Sequence, residues 1–379
     1  MPEFPYVPGL AGVPAAESKI CFIDGTKGVL EYRGYNIEAL AEKTTFEETA
    51  FLLMLGHLPT RVELDRFMSD LSQHRRLKFR IIDLIKCLPE TGHPMDAITA
   101  GVAALGMFYT NKEVSDPAVQ YEAAVRLVAK LPTITAAYHR FRRGDNALLP
   151  RDDLGHAGNF FWLLSEKEPD PFKARVLDVS LILHAEHSMN ASTFSARVTG
   201  STLADPYSVI AAAISTLAGP LHGGANEDVV GMLREVGTAA NARAYVEERV
   251  GSGKKLAGFG HRVYKTKDPR AKILERMATE VVDRYGGADV LATAKEVEKV
   301  AVEKLGGKGI FPNVDFYSGI VYDRLGIPAD LFTPMFAIAR VAGWLAHWKE
   351  QLENNRIFRP SQIYVGDRAR DWTPIDQRG

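Results

Sequence analysis

Cysteine is scarce in this 379-residue sequence: there are two, Cys21 and Cys87. Neither sits in a CxxC pair, and two cannot build a disulfide framework. A single bridge between them stays open on paper, but two reduced thiols in a cytosolic protein is the plainer reading. Net charge is lacking as well. The 46 basic residues nearly cancel the 47 acidic ones, leaving −1. No global field then recruits nucleic acid or an anionic membrane, and anion binding must come from local clusters of Arg and Lys. Long apolar runs are missing too: none approaches the ~20 residues a membrane span requires. The opening stretch, MPEFPYVPGLAGVPAAESK, has no basic start followed by an apolar core, and no Arg-rich amphipathic pattern. A cytoplasmic protein without a membrane or nucleic-acid partner is the expectation.

What is present is ordinary globular material, 46% hydrophobic and 25% charged, in a chain long enough for a large core. Strand-like alternation is confined to ICFIDGTKGVLEYRGY, residues 20–35, around Asp24-Gly25, which reads as a small hairpin. A short ribbon near Ile363-Tyr364-Val365 is a second expectation. Elsewhere the apolar spacing is helical. Thr44 to Glu47 reads as a capping box, with a helix that Gly56 and Pro59 stop, and Thr60 with Glu63 caps the next. Further helical patterns cover 121–130, 172–187, 206–218, 226–236, 268–284, 314–325 and 333–351. Strands do not alternate with helices and no fixed period repeats, so a doubly wound sheet and a solenoid are both disfavoured. The expected fold is mainly α, multi-helical and two-domain, with a small N-terminal β-hairpin. Breakers and histidines cluster at 219–228, 258–261 and 306–313. They suggest a cleft between a large unit, 1–218 plus 322–379, and a small unit, 219–321.

Several residues in these breaks could carry chemistry. In GPLHGGANED, residues 219–228, His222 stands just before a helix. The positive end of the dipole favours a neutral imidazole, able to donate to an oxyanion. The alternative is a loop histidine beside a flexible turn. In GFGHRVYKTKDPRA, residues 258–271, the third glycine of a dinucleotide fingerprint is absent and a Walker loop does not fit. His261 lies in a glycine-tight turn, with Arg262, Lys265, Lys267 and Arg270 after it. Asp268-Pro269 starts a helix. Arg270 then opposes the macrodipole in the first turn. Either a docked anion resolves that conflict or a solvated basic face tolerates it. His184 and His187 of HAEHSMNASTF, residues 184–194, read as one helical turn apart. HxxH alone is a weak metal signal, and His187 is expected to point into a cleft. Asp315 of PNVDFYSG falls in the first turn of a helix, either a helix-dipole acid or a general base. Arg340 lies mid-helix among apolar residues and needs a partner that few nearby acids offer. Arg359, in NRIFRP, reads locally as an exposed tail charge.

In order, GPLHGGAN, GFGHRVYKTKDPRA, PNVDFYSG and IARVAG, with IDGTKGVLEYRGY, FLLMLGHLPT, LILHAEHSMNAS and FRPSQIYVG around them, resemble the citrate synthase family over nearly the whole chain. The resemblance implies condensation of acetyl-CoA with oxaloacetate, then hydrolysis of citryl-CoA. A propionyl-CoA-using 2-methylcitrate synthase is the alternative. It implies His222, His261 and Asp315 as catalytic residues, and His187, Arg270, Arg340 and Arg359 on oxaloacetate, the last in a partner subunit's site. Coenzyme A would use Gly258, Phe259 and Gly260 with Arg262 and Lys265. No metal or redox cofactor is implied. The stretch HAEHSMN departs from the longer glycine-rich version of some relatives, so the resemblance assigns no role to Asn190. The expected assembly is a homodimer, since the N-terminal extension of hexameric members is not seen.

Overall fold

The computed structural model describes residues 6–378. The first five residues of the N-terminal stretch read above therefore lie outside it. Sixteen α-helices and one small sheet make up its regular structure, besides short 3-10 turns, among the described residues. The sheet is antiparallel: β1 (Cys21–Asp24) pairs β2 (Val29–Tyr32), Cys21 opposite Tyr32, and β2 pairs the two-residue β3 (Tyr35–Asn36). The expected hairpin thus carries a third short strand. Asp24 Oδ1 accepts from the backbone N–H groups of Thr26 and Lys27 and closes the turn.

Many of the helices begin where a side chain caps them. α1 is Ile37–Lys43 and α2 is Phe46–Leu55. The capping box of α2 uses Thr45 and Glu48, one residue later than the Thr44–Glu47 reading. Thr44 instead accepts the last turn of α1, its hydroxyl donating to the Leu40 carbonyl at 2.7 Å. Gly56 ends α2 at φ 92°, where a Cβ would be strained. Thr60 and Glu63 cap α3 (Arg61–His74) as expected. α4 (Phe79–Lys86) and α5 (Pro94–Leu105) follow. The dipeptide Asp-Pro then starts four helices: α6 (Pro117–Phe141), α8 (Pro171–His184), α10 (Pro206–Leu217) and α13 (Pro269–Tyr285). In each the aspartate accepts an orphan backbone N–H, and proline occupies a position whose N–H has no helical partner. α6 runs straight through Pro132 for 25 residues, well beyond the 121–130 pattern. It is buried along most of its length, so packing outweighs the lost hydrogen bond.

α7 (His156–Ser165) and α9 (Ala191–Ser201) complete that group. The remaining helices are α11 (Ala225–Val236), α12 (Ala242–Gly251), α14 (Ala288–Leu305), α15 (Val314–Leu325) and α16 (Phe332–Glu353). α16 is buried on almost every side and packs against α2, α6, α8, α9 and α10, which makes it the axis of the core. α11, α13 and α14 pack on α15 or on one another, and α15 also reaches α8. One expectation fails. Ile363, Tyr364 and Val365 form no strand and are 61% to 92% exposed. Among the described residues no second strand pairs with them to supply ladder bonds. Cys21 and Cys87 are both free thiols. Among the described residues no helix is long and apolar enough to cross a membrane.

Candidate active site

α8 ends at His184, so His187 is not on the same helical face as the sequence suggested. His184 turns back into the core. Its Nδ1 donates to the Ser180 carbonyl at 2.7 Å, while Nε2 is buried without a partner. The chain then breaks through Ser188 at φ 56° and restarts at Asn190, whose Oδ1 caps α9 by accepting from Thr193 N–H. This break swings His187 toward the 258–268 loop. His187, His261 and Tyr264 form a close ring cluster, with centroids 4.9 Å apart for the two histidines and 4.8 Å for His261 and Tyr264. Tyr264 hydroxyl and His187 Nε2 are hydrogen bonded at 3.2 Å.

The tautomers follow from the backbone. His261 Nδ1 accepts from Val263 N–H at 3.0 Å and from Tyr264 N–H at 3.2 Å. A nitrogen that accepts carries no proton, so a neutral His261 presents Nε2–H. His222 is held the other way round. Its Nε2 accepts from Ser192 N–H at 3.2 Å and lies 2.8 Å from Ser192 Oγ. Its free donor is therefore Nδ1–H. Ser192 Oγ is itself fixed by Trp344 Nε1–H at 3.1 Å and by Asn190 Oδ1 at 2.8 Å. Burial, aided by Arg340, drops the His222 pKa to about 4. Burial, aided chiefly by Arg270, does the same to His261, also to about 4. His187 is pushed well below the ordinary imidazole value by burial, then by Arg270. All three rings are neutral near pH 7.

Asp315 stands at the second position of α15, capped from behind by Asn313 Oδ1, which accepts Asp315 N–H at 2.9 Å. The same Asn313 donates through Nδ2 to the Gly260 carbonyl at 3.0 Å. One asparagine thus ties the aspartate helix to the loop that carries His261. Asp315 keeps some accessible surface but is closely surrounded by protein. That burial raises its pKa to about 6, against the pull of Arg270.

Arg270 is 2% exposed, which rules out the solvated basic face. Its dipole conflict is resolved inside the chain. Asp268 Oδ1 accepts from Arg270 Nε at 3.0 Å and Oδ2 from the guanidinium at 2.7 Å. Burial works against the charge, but Asp268 more than restores it. Arg340 is 1% exposed; its Nε donates to the His184 carbonyl at 2.7 Å and its guanidinium lies over Phe336. The acid missing from the sequence reading is Glu186, fully buried and electrostatically coupled to Arg340. Arg359 is set apart from this group. It is exposed after α16, and among the described residues its side chain makes no hydrogen bond or ion pair.

Gly258 (φ 75°) and Gly260 (φ 86°) let the loop turn flat against the 311–313 segment. Gly260 N–H donates to Phe311 and Asn313 N–H to Gly258, both at 2.9 Å. A Cβ on Gly258 would lie 2.8 Å from Phe316 Cα, so no side chain fits there. Phe259 packs edge-on to Phe316. Arg262 and Lys265 are exposed beside this turn. The N-terminal sheet reaches the same loop: Lys265 N–H donates to Gly25 at 2.9 Å. Ligand atoms of His187, His261 and Asp268 all lie within 4.8 Å of one another. They make a poor cation site, because Asp268 is committed to Arg270 and the guanidiniums repel a metal.

These segments therefore offer two neutral N–H donors, one carboxylate of raised pKa and two buried guanidiniums. Sequence reasoning missed Ser192, Trp344, Tyr264, Glu186 and Asn313. Each is an unremarkable residue type whose role depends on contacts across the fold. The family described as citrate synthase, C-terminal domain, matches residues 9–361. The chain is 57% identical to a citrate synthase of Synechocystis sp., over 98% of this chain and 93% of that one. It superposes on the citrate synthase of Pyrobaculum aerophilum with a TM-score of 0.94 at 43% identity, covering 98% and 95% of the two chains. The Thermoplasma acidophilum citrate synthase, solved as a ternary complex with carboxymethyl coenzyme A and oxaloacetate, gives 0.94 at 34% identity over 98% and 99%.

Proposed function

This chain belongs to the citrate synthase family, and on that premise we propose how its residues divide the work. The reaction is the condensation of acetyl-CoA with oxaloacetate, followed by hydrolysis of citryl-CoA to citrate and CoA. Asp315 takes a proton from the thioester methyl. Its raised pKa makes it a stronger base than an ordinary carboxylate while leaving it mostly ionised at pH 7. His222 Nδ1–H donates to the thioester oxygen as the enolate forms, and a neutral donor adds stabilisation without having to lose a charge. His261 Nε2–H polarises the oxaloacetate ketone and donates to the alkoxide. The methyl carbon then bonds to the carbonyl carbon.

Arg270 and Arg340 hold the oxaloacetate carboxylates, with His187 beside them, since guanidiniums match carboxylates two bonds at a time. The Gly258–Phe259–Gly260 turn with Arg262 and Lys265 receives the anionic coenzyme A. Residues 219–321 act as a small unit closing on the rest and excluding water until the carbon–carbon bond is made. Arg359 completes the oxaloacetate site of a partner subunit in a homodimer, in keeping with its exposure and its place after α16. The protein works in the cytoplasm with no metal or redox cofactor.

The observation that carries this reading is that the two histidines are held as opposite tautomers, Nδ1–H on His222 and Nε2–H on His261, with Asn313 tying the Asp315 helix to the His261 loop. The relatives' names do not favour the propionyl-CoA alternative. One methylene in a pocket is worth only about 1–3 kcal/mol, so the assay must compare both thioesters. Thiol release with oxaloacetate should show a higher kcat/KM for acetyl-CoA than for propionyl-CoA. Consumption of neither thioester would end the enzyme reading.

A further inference from the structure

Glu186 immediately precedes His187, yet no step above uses it. Its side chain is fully buried. It lies across α16: Oε1 is hydrogen bonded to His347 Nε2 at 3.0 Å. Gly343, one turn earlier, has no room for a side chain, because a Cβ there would fall on Glu186 Oε2. Arg340 stands three residues before Gly343 and His347 four after it, so all three share one helix face. The carboxylate is therefore laid along the face that also carries Arg340, without an ion pair between them, and the two are electrostatically coupled. Oε2 has no hydrogen-bond partner among the described residues. A buried carboxylate with an unfilled oxygen is tolerated only beside positive charge. Burial alone would raise the Glu186 pKa, but His347 and Arg340 together hold it below the ordinary value.

The other site arginine has a direct partner: Arg270 is ion-paired with Asp268 at 2.7 Å. Each buried guanidinium thus has a buried carboxylate acting on it before any ligand arrives, in contact at Arg270 and through the field alone at Arg340. We propose that Glu186 is the resident counter-anion of Arg340 and a positioning residue that weakens dicarboxylate binding in exchange for a stable empty pocket. This rests on the reading that Arg340 holds an oxaloacetate carboxylate. An incoming carboxylate must share Arg340 with Glu186 and is repelled by it. Without the Glu186 charge, the empty pocket would hold an uncompensated guanidinium that only the ligand relieves. Binding of oxaloacetate, and of citrate on the product side, would tighten while the empty protein became less stable.

The test is Glu186→Gln, which keeps the size and the contact with His347 but removes the charge. Calorimetric titration should show oxaloacetate binding on the order of tenfold tighter, about 1.4 kcal/mol. The Tm of the empty protein should fall. A residue with a purely structural role would lower Tm and weaken binding, so unchanged or weaker binding overturns the proposal. If this variant does not fold, Glu186→Asp draws the carboxylate back from Arg340. It should tighten binding two- to fourfold, and an unchanged or weaker affinity again overturns the proposal. Arg340→Ala separates the layers. Retained oxaloacetate binding in that variant removes the parent reading of Arg340. Lost binding there, with no tightening in Glu186→Gln, removes only the role given to Glu186.

Discussion

Replacing Asp315 by Asn should abolish turnover and make the protein more stable, and the second effect should disappear in acid. In the folded chain the Asp315 pKa is about 6, because burial disfavours its charge. Its ordinary value is 3.8. Ionising it therefore costs more in the folded state than in the unfolded one. About two pKa units correspond to roughly 3 kcal/mol above pH 6. Asp315 keeps some contact with solvent, so screening leaves about 1–3 kcal/mol. Between pH 6 and about 4 the folded state binds the extra proton, so this penalty shrinks as pH falls. Asparagine is neutral at every pH and escapes the penalty throughout. Scanning calorimetry of Asp315→Asn at pH 7.5 should therefore show a Tm about 1–4 °C above wild type, taking about 2.1 cal/mol/K per residue for the unfolding entropy. The gap should close near pH 4. Oxaloacetate should still bind. A variant that is less stable at pH 7.5, or whose gain does not depend on pH, would refute the reasoning.

Ser192→Ala removes the hydroxyl beside His222 and Trp344 but keeps the backbone N–H that fixes the tautomer. We expect kcat to fall about tenfold, the worth of one hydrogen bond, with the oxaloacetate KM within threefold of wild type; an equal rise in KM would place Ser192 on substrate instead. Gly25→Ala would put a Cβ onto the Val263 carbonyl oxygen. The strain should cost about 1–3 kcal/mol in urea unfolding and lower kcat through the His261 loop, whereas full activity would show that the sheet does not steer that loop. Inactive Arg359→Ala and His261→Ala chains, mixed under subunit exchange, should regain activity in heterodimers with one intact site, and confirmed exchange without recovery would refute the shared site. His261→Gln should lose less stability than wild type between pH 7 and 4.5. The depressed pKa of His261 contributes stability that is complete above pH 6.5 and fades toward its folded value of about 4. Equal urea-unfolding losses for the two proteins would contradict that.

Much of the helical frame is readable from local chemistry. Asp-Pro starts, the Thr60–Glu63 box and the Gly56 stop act within a few residues, so their physics is contained in the sequence around them. The misplaced box at Thr44 shows the limit. Thr44 and Thr45 are equivalent by type, and only the preceding helix decides that Thr44 closes α1 and frees Thr45 to cap α2. Pro132 misleads for the same reason, since the burial that overrides it comes from other helices. Within the site, His222, His261 and Asp315 stand out through glycines and helix starts, whereas Asn313, Ser192 and Glu186 do not. Asn313 joins two loops 53 residues apart, and Ser192 reaches His222 across 30. Such contacts leave no local periodicity to detect.

The charge pattern of the pocket follows from one physical requirement. A site for an anionic substrate needs buried arginines, and buried arginines depress every histidine near them. The same surroundings make neutral donors of His222 and His261. Unopposed, that field would also hold Asp315 strongly ionised and make it a poor base. Burial of Asp315 is the counterweight, and Arg270 pulls against it without prevailing. Asp268 reduces that pull, because it pairs with Arg270 and itself raises the Asp315 pKa. The resident carboxylates therefore do more than neutralise the empty pocket. Asp268 limits how far Arg270 acts on Asp315, so the base keeps its affinity for a proton, while burial keeps the histidines neutral. A pocket of bare arginines would bind oxaloacetate more tightly but would weaken the group proposed to deprotonate acetyl-CoA.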